Sequence, residues 1–240
     1  MIRAYLKFFK DQGLDTWIAH GTLLGWWWNG KRLPWDWDLD TQVSASTLHY
    51  LGENHNQSIH KYESEDGQTK REYLLDVNPW IWERERGDGM NIIDARWIDI
   101  RNGLFIDITG LSETHPDTMP GVWSCKNYHR YKTTDLYPMR ETVFEGVVAK
   151  VPYSYDQILI NEYQEKALIV TDYEGYVLIN RPRIKYQTNI SIVTLGIPPK
   201  RNGSRPKSKS TRNRKKKRND SARKRKKRRR TMTRNKRKTT

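Results

Sequence analysis

All ten tryptophans lie before Pro198-Pro199, whereas the 41 residues from Lys200 to Thr240 carry 23 Lys and Arg against one acid, Asp220. That partition limits what can fold. Beyond Pro199 the apolar residues are reduced to Ala222 and Met232, too little buried surface to offset the entropy of ordering the chain. The expectation is a folded domain over 1–199 followed by a disordered Lys/Arg-rich tail over 200–240. Without the tail, 21 basic and 27 acidic residues leave the domain at −6, so the formal +16 of the whole chain describes the tail alone. A run such as Arg212–Arg230 attracts phosphates without sequence preference or serves as a nuclear address. A nucleic-acid-associated protein is therefore the rival reading from another class. The tail lacks interleaved aromatics and the domain is acidic, so nucleic acid is expected to meet the chain only non-specifically, through 200–240. Cys125 is the single cysteine, which excludes an intrachain disulfide framework and a multi-cysteine zinc site. No 18-residue apolar run or signal-peptide core is present in the sequence.

Within the domain, periodicity points to mixed α/β structure. Ile2, Leu6, Phe9 and Leu14, with Tyr5 and Phe8 alongside, predict an amphipathic helix over about 2–12 that Gly13 stops. The first residue is already in helical register, as in a chain with a segment upstream. Thr16–Ala19 followed by the Gly-bracketed His20–Gly25 reads as strand, tight turn and helix. Residues 38–43 alternate like a half-buried strand, and 52–70 read as a polar surface loop. Ala95–Ile100 and Leu104–Thr109 are joined by Arg101-Asn102-Gly103, whose Asn-Gly signals a β-hairpin. Val147–Val151 is a short Val-rich run, and Ile158, Leu159 and Tyr163 give 155–163 helical spacing.

The chemistry concentrates in Leu33–Asp40, LPWDWDLD, where Asp36, Asp38 and Asp40 alternate at period two. On an extended chain they share a face. Three like charges repel and resist desolvation unless a cation sits among them, and hard divalent cations share one or two carboxylates with substrate phosphates. A solvated acidic edge strand would carry the same pattern. The segment nevertheless holds Trp35 and Trp37 and closely follows the Gly-containing strand-to-helix signal, more architecture than such an edge requires. Asp107 stands between Ile106 and Ile108 in an apolar strand, where a charge is seldom buried without a partner. Asp99 on the facing strand is the competing carboxylate, expected to orient Arg96 or the turn. Most of the tryptophans at 26–28, 35 and 37 are expected in the core, since adjacent helical residues cannot all face one cleft.

These residues resemble the LicD family of nucleotidyltransferase-fold proteins, which includes fukutin-type enzymes and fungal proteins implicated in mannosylphosphate transfer. His20–Gly25 is similar to the family's HGTLLG, Pro34-Trp35-Asp36 with Asp38 and Asp40 to its PWDxDxD, and Phe105–Ile108 to its third-aspartate strand. Leu136-Tyr137-Pro138, Phe144-Glu145-Gly146 and Val151-Pro152 follow in the family's order, and the likeness covers about 2–180. The runs Trp26–Gly30 and Ala95–Asp99 resemble the fungal mannosylphosphate branch. Tyr163 is followed by Gln164 where the family commonly has Gly, a departure that touches the loop after that helix.

The resemblance implies a nucleotidyltransferase-like mixed β-sheet flanked by helices. It implies a metal-dependent phosphotransferase that moves a sugar phosphate, mannosyl phosphate in this branch, from a nucleotide sugar such as GDP-mannose to a glycan hydroxyl. Asp38, Asp40 and Asp107, with Asp36 as a further ligand, would hold Mg²⁺ or Mn²⁺ against the donor's phosphates, and Asp107 would also accept the acceptor's proton. Gly21 and Thr22 would face phosphate at a helix start, and Lys31, Arg32 and Arg96 would neutralise it. His20 is given no chemical role. A partner transferase subunit, or service as a non-catalytic scaffold, is the alternative within the same resemblance. It further implies the Golgi lumen or membrane, although this sequence contains no anchor.

Overall fold

The computed structural model describes residues 1–177 apart from 88, 90, 91 and 174. The basic tail and the expected boundary at 199 lie outside the described residues. Helix α1, Ile2–Asp11, buries Ile2, Tyr5, Leu6 and Phe9 at helical spacing and ends before Gly13, whose φ of +66° suits a residue without Cβ. Strand β1, Trp17–Ile18, leads into α2, His20–Asn29, and then into β2, Asp40–Ser44, and α3, Ala45–Asn54. Ser44 caps α3 by accepting from the Thr47 N–H at 3.2 Å. Strands β3 (Ser58–Glu63), β4 (Lys70–Val77), β5 (Ala95–Asp99) and β6 (Phe105–Leu111) complete a six-stranded sheet of order β1-β2-β6-β5-β4-β3. All its pairs are antiparallel except β2 with β6.

The register across that parallel pair positions the site. Asp40 opposes Asp107, Thr41 opposes Ile108 and Gln42 opposes Thr109, while Arg96 opposes Asp107 and Trp97 opposes Ile106 across β5 and β6. Residues directly opposite share a face, so Asp40, Gln42, Arg96 and Asp107 lie on one side of the sheet and Thr41, Trp97, Ile106 and Ile108 on the other. The apolar side receives α1 and α3. Phe8 packs on Trp97 at 5.2 Å between ring centroids, Trp97 stacks on Tyr73 at 5.3 Å, and Tyr5 Oη accepts from Thr41 at 2.9 Å. Leu48 of α3 fits against Gly110, where a Cβ would stand 2.6 Å from its methyl group. Burying each such large side chain contributes roughly 1.5–3 kcal/mol.

The other face receives α2 and, through Tyr131 and Glu162, some of the elements that follow β6 in the chain. After β6 come the hairpin of β7 (Val122–Ser124) with β8 (Arg130–Lys132), helix α4 (Thr133–Leu136), the hairpin of β9 (Arg140–Phe144) with β10 (Val147–Val151), and α5 (Tyr155–Tyr163). A 3-10 turn over Glu165–Leu168 and a short pair, β11 (Asp172–Tyr173) with β12 (Tyr176–Val177), follow. Among the described residues no helix is long and apolar enough to cross a membrane.

The expected architecture of a mixed sheet flanked by helices holds, and so do the hairpin at Asn102-Gly103 and the helices over 2–12 and 155–163. Three readings are corrected. Residues 52–70 are not a loop, because they end α3 and contain edge strand β3. Its partly buried positions are Ser58, His60 and Tyr62, so the period-two signal carries no aliphatic residue; His60 stacks on Trp97 at 5.2 Å instead. The strand expected from 38 starts at Asp40, leaving Asp36 and Asp38 in the loop before it. No separate turn follows β1, since α2 begins at His20 itself.

Candidate carboxylate site

The loop carrying Asp36 and Asp38 is pressed against the first turn of α2. A Cβ on Gly21 would stand 2.7 Å from Asp36 Oδ2, and one on Gly25 would stand 2.6 Å from the Lys31 carbonyl. Both glycines of HGTLLG therefore allow close approach of the acidic loop. Thr22 is fully buried, and its Oγ1 accepts from the Asp40 N–H at 2.8 Å. The Asp40 carbonyl accepts from the Ala19 N–H at 3.1 Å, and the Leu39 carbonyl from the Asp107 N–H at 2.9 Å. Thr22 thus fixes the backbone of Asp40, where the sequence suggested a phosphate contact, while Gly21 does line the cavity described below.

The carboxylates meet electrostatically. Burial, then the neighbouring Asp38, push the Asp36 carboxyl up to about 6. Burial pushes Asp40 up to about 6 as well, against the lowering influence of His20 and with help from Asp38, Asp107 and Asp36. Burial and the neighbouring Asp38 both favour the protonated form of Asp36. Hard divalent cations take carboxylate oxygens, so the donor type suits such an ion; among the described residues, however, no three of these carboxylates place ligand atoms within 4.8 Å of one another, and a bound ion would have to draw them together. Asp107 Oδ1 accepts from Arg96 Nε at 2.8 Å, and the guanidinium lies 4.4 Å over the Phe105 ring. Arg96 is therefore engaged with Asp107 and not with Asp99. Asp99 accepts instead from the Arg101 N–H at 3.0 Å and organises the turn, as one of its two expected roles had it. Arg32 lies near Asp36, holding its pKa down somewhat, and 6.0 Å over the Trp37 ring. Lys31 is exposed.

A cavity of about 710 Å³ opens beside Asp36, Asp38 and Asp40, with Trp35 and Tyr173 on its wall. Of the tryptophans singled out in the sequence, Trp26 and Trp28 are buried, and Trp37 is 85 % exposed.

A second cluster escaped sequence reasoning. His20, His129 and Glu162 form the group of metal-capable side chains whose ligand atoms lie within 4.8 Å of one another among the described residues. Their hydrogen bonds argue for a structural ring. Trp17 Nε1 can only donate, and it donates to Gln42 Oε1 at 3.0 Å, so the Gln42 amide nitrogen faces His20 Nε2 at 3.2 Å as a donor. His20 then carries its proton on Nδ1 and gives it to Glu162 Oε2 at 3.0 Å, while Tyr131 donates to Glu162 Oε1 at 2.8 Å. A metal-bound histidine usually donates its other ring N–H to an acceptor, and here that nitrogen meets a donor. Burial disfavours the His20 imidazolium, but the hydrogen bond and charge of Glu162, with Asp40, outweigh it and raise its pKa. The ring ties α2, β2, β8 and α5 together beside Asp40 and supports His20 at its positive φ of 49°. Its members stand 20, 42, 131 and 162 along the chain, so no local pattern announces it.

A family model described as LicD/FKTN/FKRP, nucleotidyltransferase domain, matches residues 13–154. Mannosyltransferase regulator 4 of Saccharomyces cerevisiae is 33% identical over 218 residues, covering 89% of this chain and 18% of that protein. Mannosyltransferase regulator 14 of the same yeast is 46% identical over 112 residues, 47% of this chain and 12% of that protein. The chain therefore spans less than a fifth of the length of either relative.

Proposed function

The chain belongs to the LicD/FKTN/FKRP nucleotidyltransferase-domain family, and from that premise we propose that it is a metal-dependent sugar-phosphate transferase domain acting in glycan modification. The observation that carries this reading is the in-register pairing of Asp40 with Asp107 on one face of the sheet, with Asp36 and Asp38 arriving from the preceding loop. The donor is a nucleotide sugar, GDP-mannose by the likeness to the mannosyltransferase regulators, and the acceptor a glycan hydroxyl.

Transfer of a phosphorylated group builds negative charge on phosphoryl oxygens while attacking and leaving oxygens stay in line, so positioning and electrostatic stabilisation dominate. Mg²⁺ or Mn²⁺, when bound, supplies Lewis-acid neutralisation of that charge. Asp36, Asp38, Asp40 and Asp107 are the residues that would hold it. Thr22 and Ala19 fix the Asp40 backbone, and Arg96 holds one oxygen of Asp107. Gly21 leaves room for the Asp36 carboxylate at the N-terminus of α2, where the helix dipole favours negative charge. Arg32 adds positive charge at the rim.

The test is to incubate the chain with GDP-mannose, Mg²⁺ and a mannoside acceptor and to look for a phosphodiester product that disappears with EDTA and in Asp40→Asn. Full turnover in that variant would remove the assignment. The names of both relatives, mannosyltransferase regulators, favour a second reading in which the domain binds the donor or metal and supports a partner mannosyltransferase. Under that reading the product forms only when the partner is added, and Asp40→Asn still abolishes the stimulation.

A further inference from the structure

The aromatic wall of the cavity is held in an unusual way. Trp27 Nε1 donates to the Leu168 carbonyl at 3.2 Å and Trp28 Nε1 to the Val170 carbonyl at 3.1 Å. Two adjacent tryptophans of α2 thus suspend the segment that follows α5, although side chains one residue apart on a helix face different ways. The suspended segment brings Lys166 and Tyr173 to the cavity, Lys166 being its one cationic side chain among the described lining residues. Trp35 packs edge-on to Trp28 at 5.2 Å and meets Tyr173 at 5.1 Å, forming an aromatic corner. Asp36, Asp38 and Asp40 close the same cavity.

We propose that this corner is a nucleoside diphosphate subsite, with the base lying against Trp35 and Tyr173 and Lys166 meeting the diphosphate oxygens turned away from the carboxylates. The inference rests on the donor reading above and deepens it. A cavity of about 710 Å³ is of the size that takes a cofactor-sized ligand. Aromatic rings accept either a base or a sugar by stacking. A neutral glycan, however, gives no use to a lysine set in the same cavity as four aspartates, Asp172 among them, whereas a group that is flat at one end and doubly anionic at the other uses both the lysine and the aromatic corner. Trp27 and Trp28 then have a role beyond core filling, because their indole N–H groups hold the base-binding wall in place.

Binding of GDP, of pyrophosphate and of mannose to the full chain, measured by calorimetry with Mg²⁺, separates the parts. Raised ionic strength screens the basic tail. Trp35→Ala is expected to weaken GDP by about tenfold or more and to leave pyrophosphate unchanged, with Trp35→Phe restoring most of the loss. Lys166→Ala is expected to weaken GDP and pyrophosphate alike, and the exposed, distant Trp80→Ala to change neither. Unaltered thermal midpoints show that the variants fold. GDP binding equal to wild type in both Trp35→Ala and Lys166→Ala, but lost in Asp40→Asn, overturns the subsite while leaving the donor reading in place. Failure of the wild-type chain to bind either GDP or pyrophosphate, alongside Mn²⁺ binding that Asp40→Asn removes, overturns both the subsite and the nucleotide donor and leaves the metal site.

Discussion

One carboxylate and one group of carboxylates sit along the same strand β6 and are treated in opposite ways. At one end Asp94, fully buried, accepts from Arg84 at 3.0 Å, from the equally buried Lys126 at 2.9 Å and from the Gly110 N–H at 2.7 Å. Lys126 also donates to the Trp80 carbonyl at 2.7 Å, tying down the loop after β4. At the other end Asp36, Asp38 and Asp40 crowd one another, and the arginine nearest Asp107 is taken by that residue alone. The first sits in a finished ion cluster whose cations come with the fold. The second has more negative charge than the described side chains balance, and its carboxyls answer with raised pKa values. A carboxylate satisfied by its own protein is structural, whereas one left protonatable near neutrality points to something from outside.

Asp94→Ala strands a buried ammonium and guanidinium, and the expected loss is about 3–5 kcal/mol of folding stability, read from urea unfolding. Asp40→Asn should do the reverse at the other end. Removing one of several repelling charges leaves the metal-free fold at least as stable at pH 7, while the rise in thermal midpoint produced by Mg²⁺ in the wild type disappears. A stability loss for Asp40→Asn as large as that for Asp94→Ala would make the two clusters alike and end the distinction.

A pH titration sharpens it further. Because Asp36 and Asp40 bind protons more tightly folded than unfolded, their raised values make the metal-free protein gain stability as pH falls from 7 through about 6. The gain is complete only below their ordinary carboxylate range. Saturating Mg²⁺ competes with those protons, so its stabilising effect should be largest at pH 7 and fade as pH falls through about 6. A stabilisation by Mg²⁺ that is the same at pH 5 and pH 7 would place the ion elsewhere. The smallest expected effect lies at Gln164, which takes φ 70° and ψ 164°, a region nearly reserved for glycine. Gln164→Gly should raise stability by about 1 kcal/mol without altering Mg²⁺ binding.

Gln164 also shows where sequence reading succeeded. The departure from glycine after Tyr163 is visible in the chain, and its conformation shows why glycine suits the position. The alternation of Asp36, Asp38 and Asp40, the isolated Asp107 and the Asn102-Gly103 turn were legible because each is a local pattern with a local cause. Strand β3 was not, since His60 and Tyr62 fill its inner positions and hide the period. The ring of His20, Gln42, Tyr131 and Glu162 was not legible either, because its members meet only through the tertiary fold. The contacts of Thr22 and Arg96 were hidden for a related reason. Composition shows that a hydroxyl or a guanidinium is present, but only the register of β2, β5 and β6 shows which carboxylate it serves.

Whether the aspartates of β2 and β6 and the adjoining loop receive a divalent cation is read from Mn²⁺ binding followed by electron paramagnetic resonance. The wild-type chain at pH 7 should bind Mn²⁺, Asp40→Asn and Asp107→Asn should lose it, and His129→Ala should keep it. Binding that survives Asp40→Asn but vanishes in His129→Ala would move the ion to His20, His129 and Glu162 and contradict the carboxylate assignment.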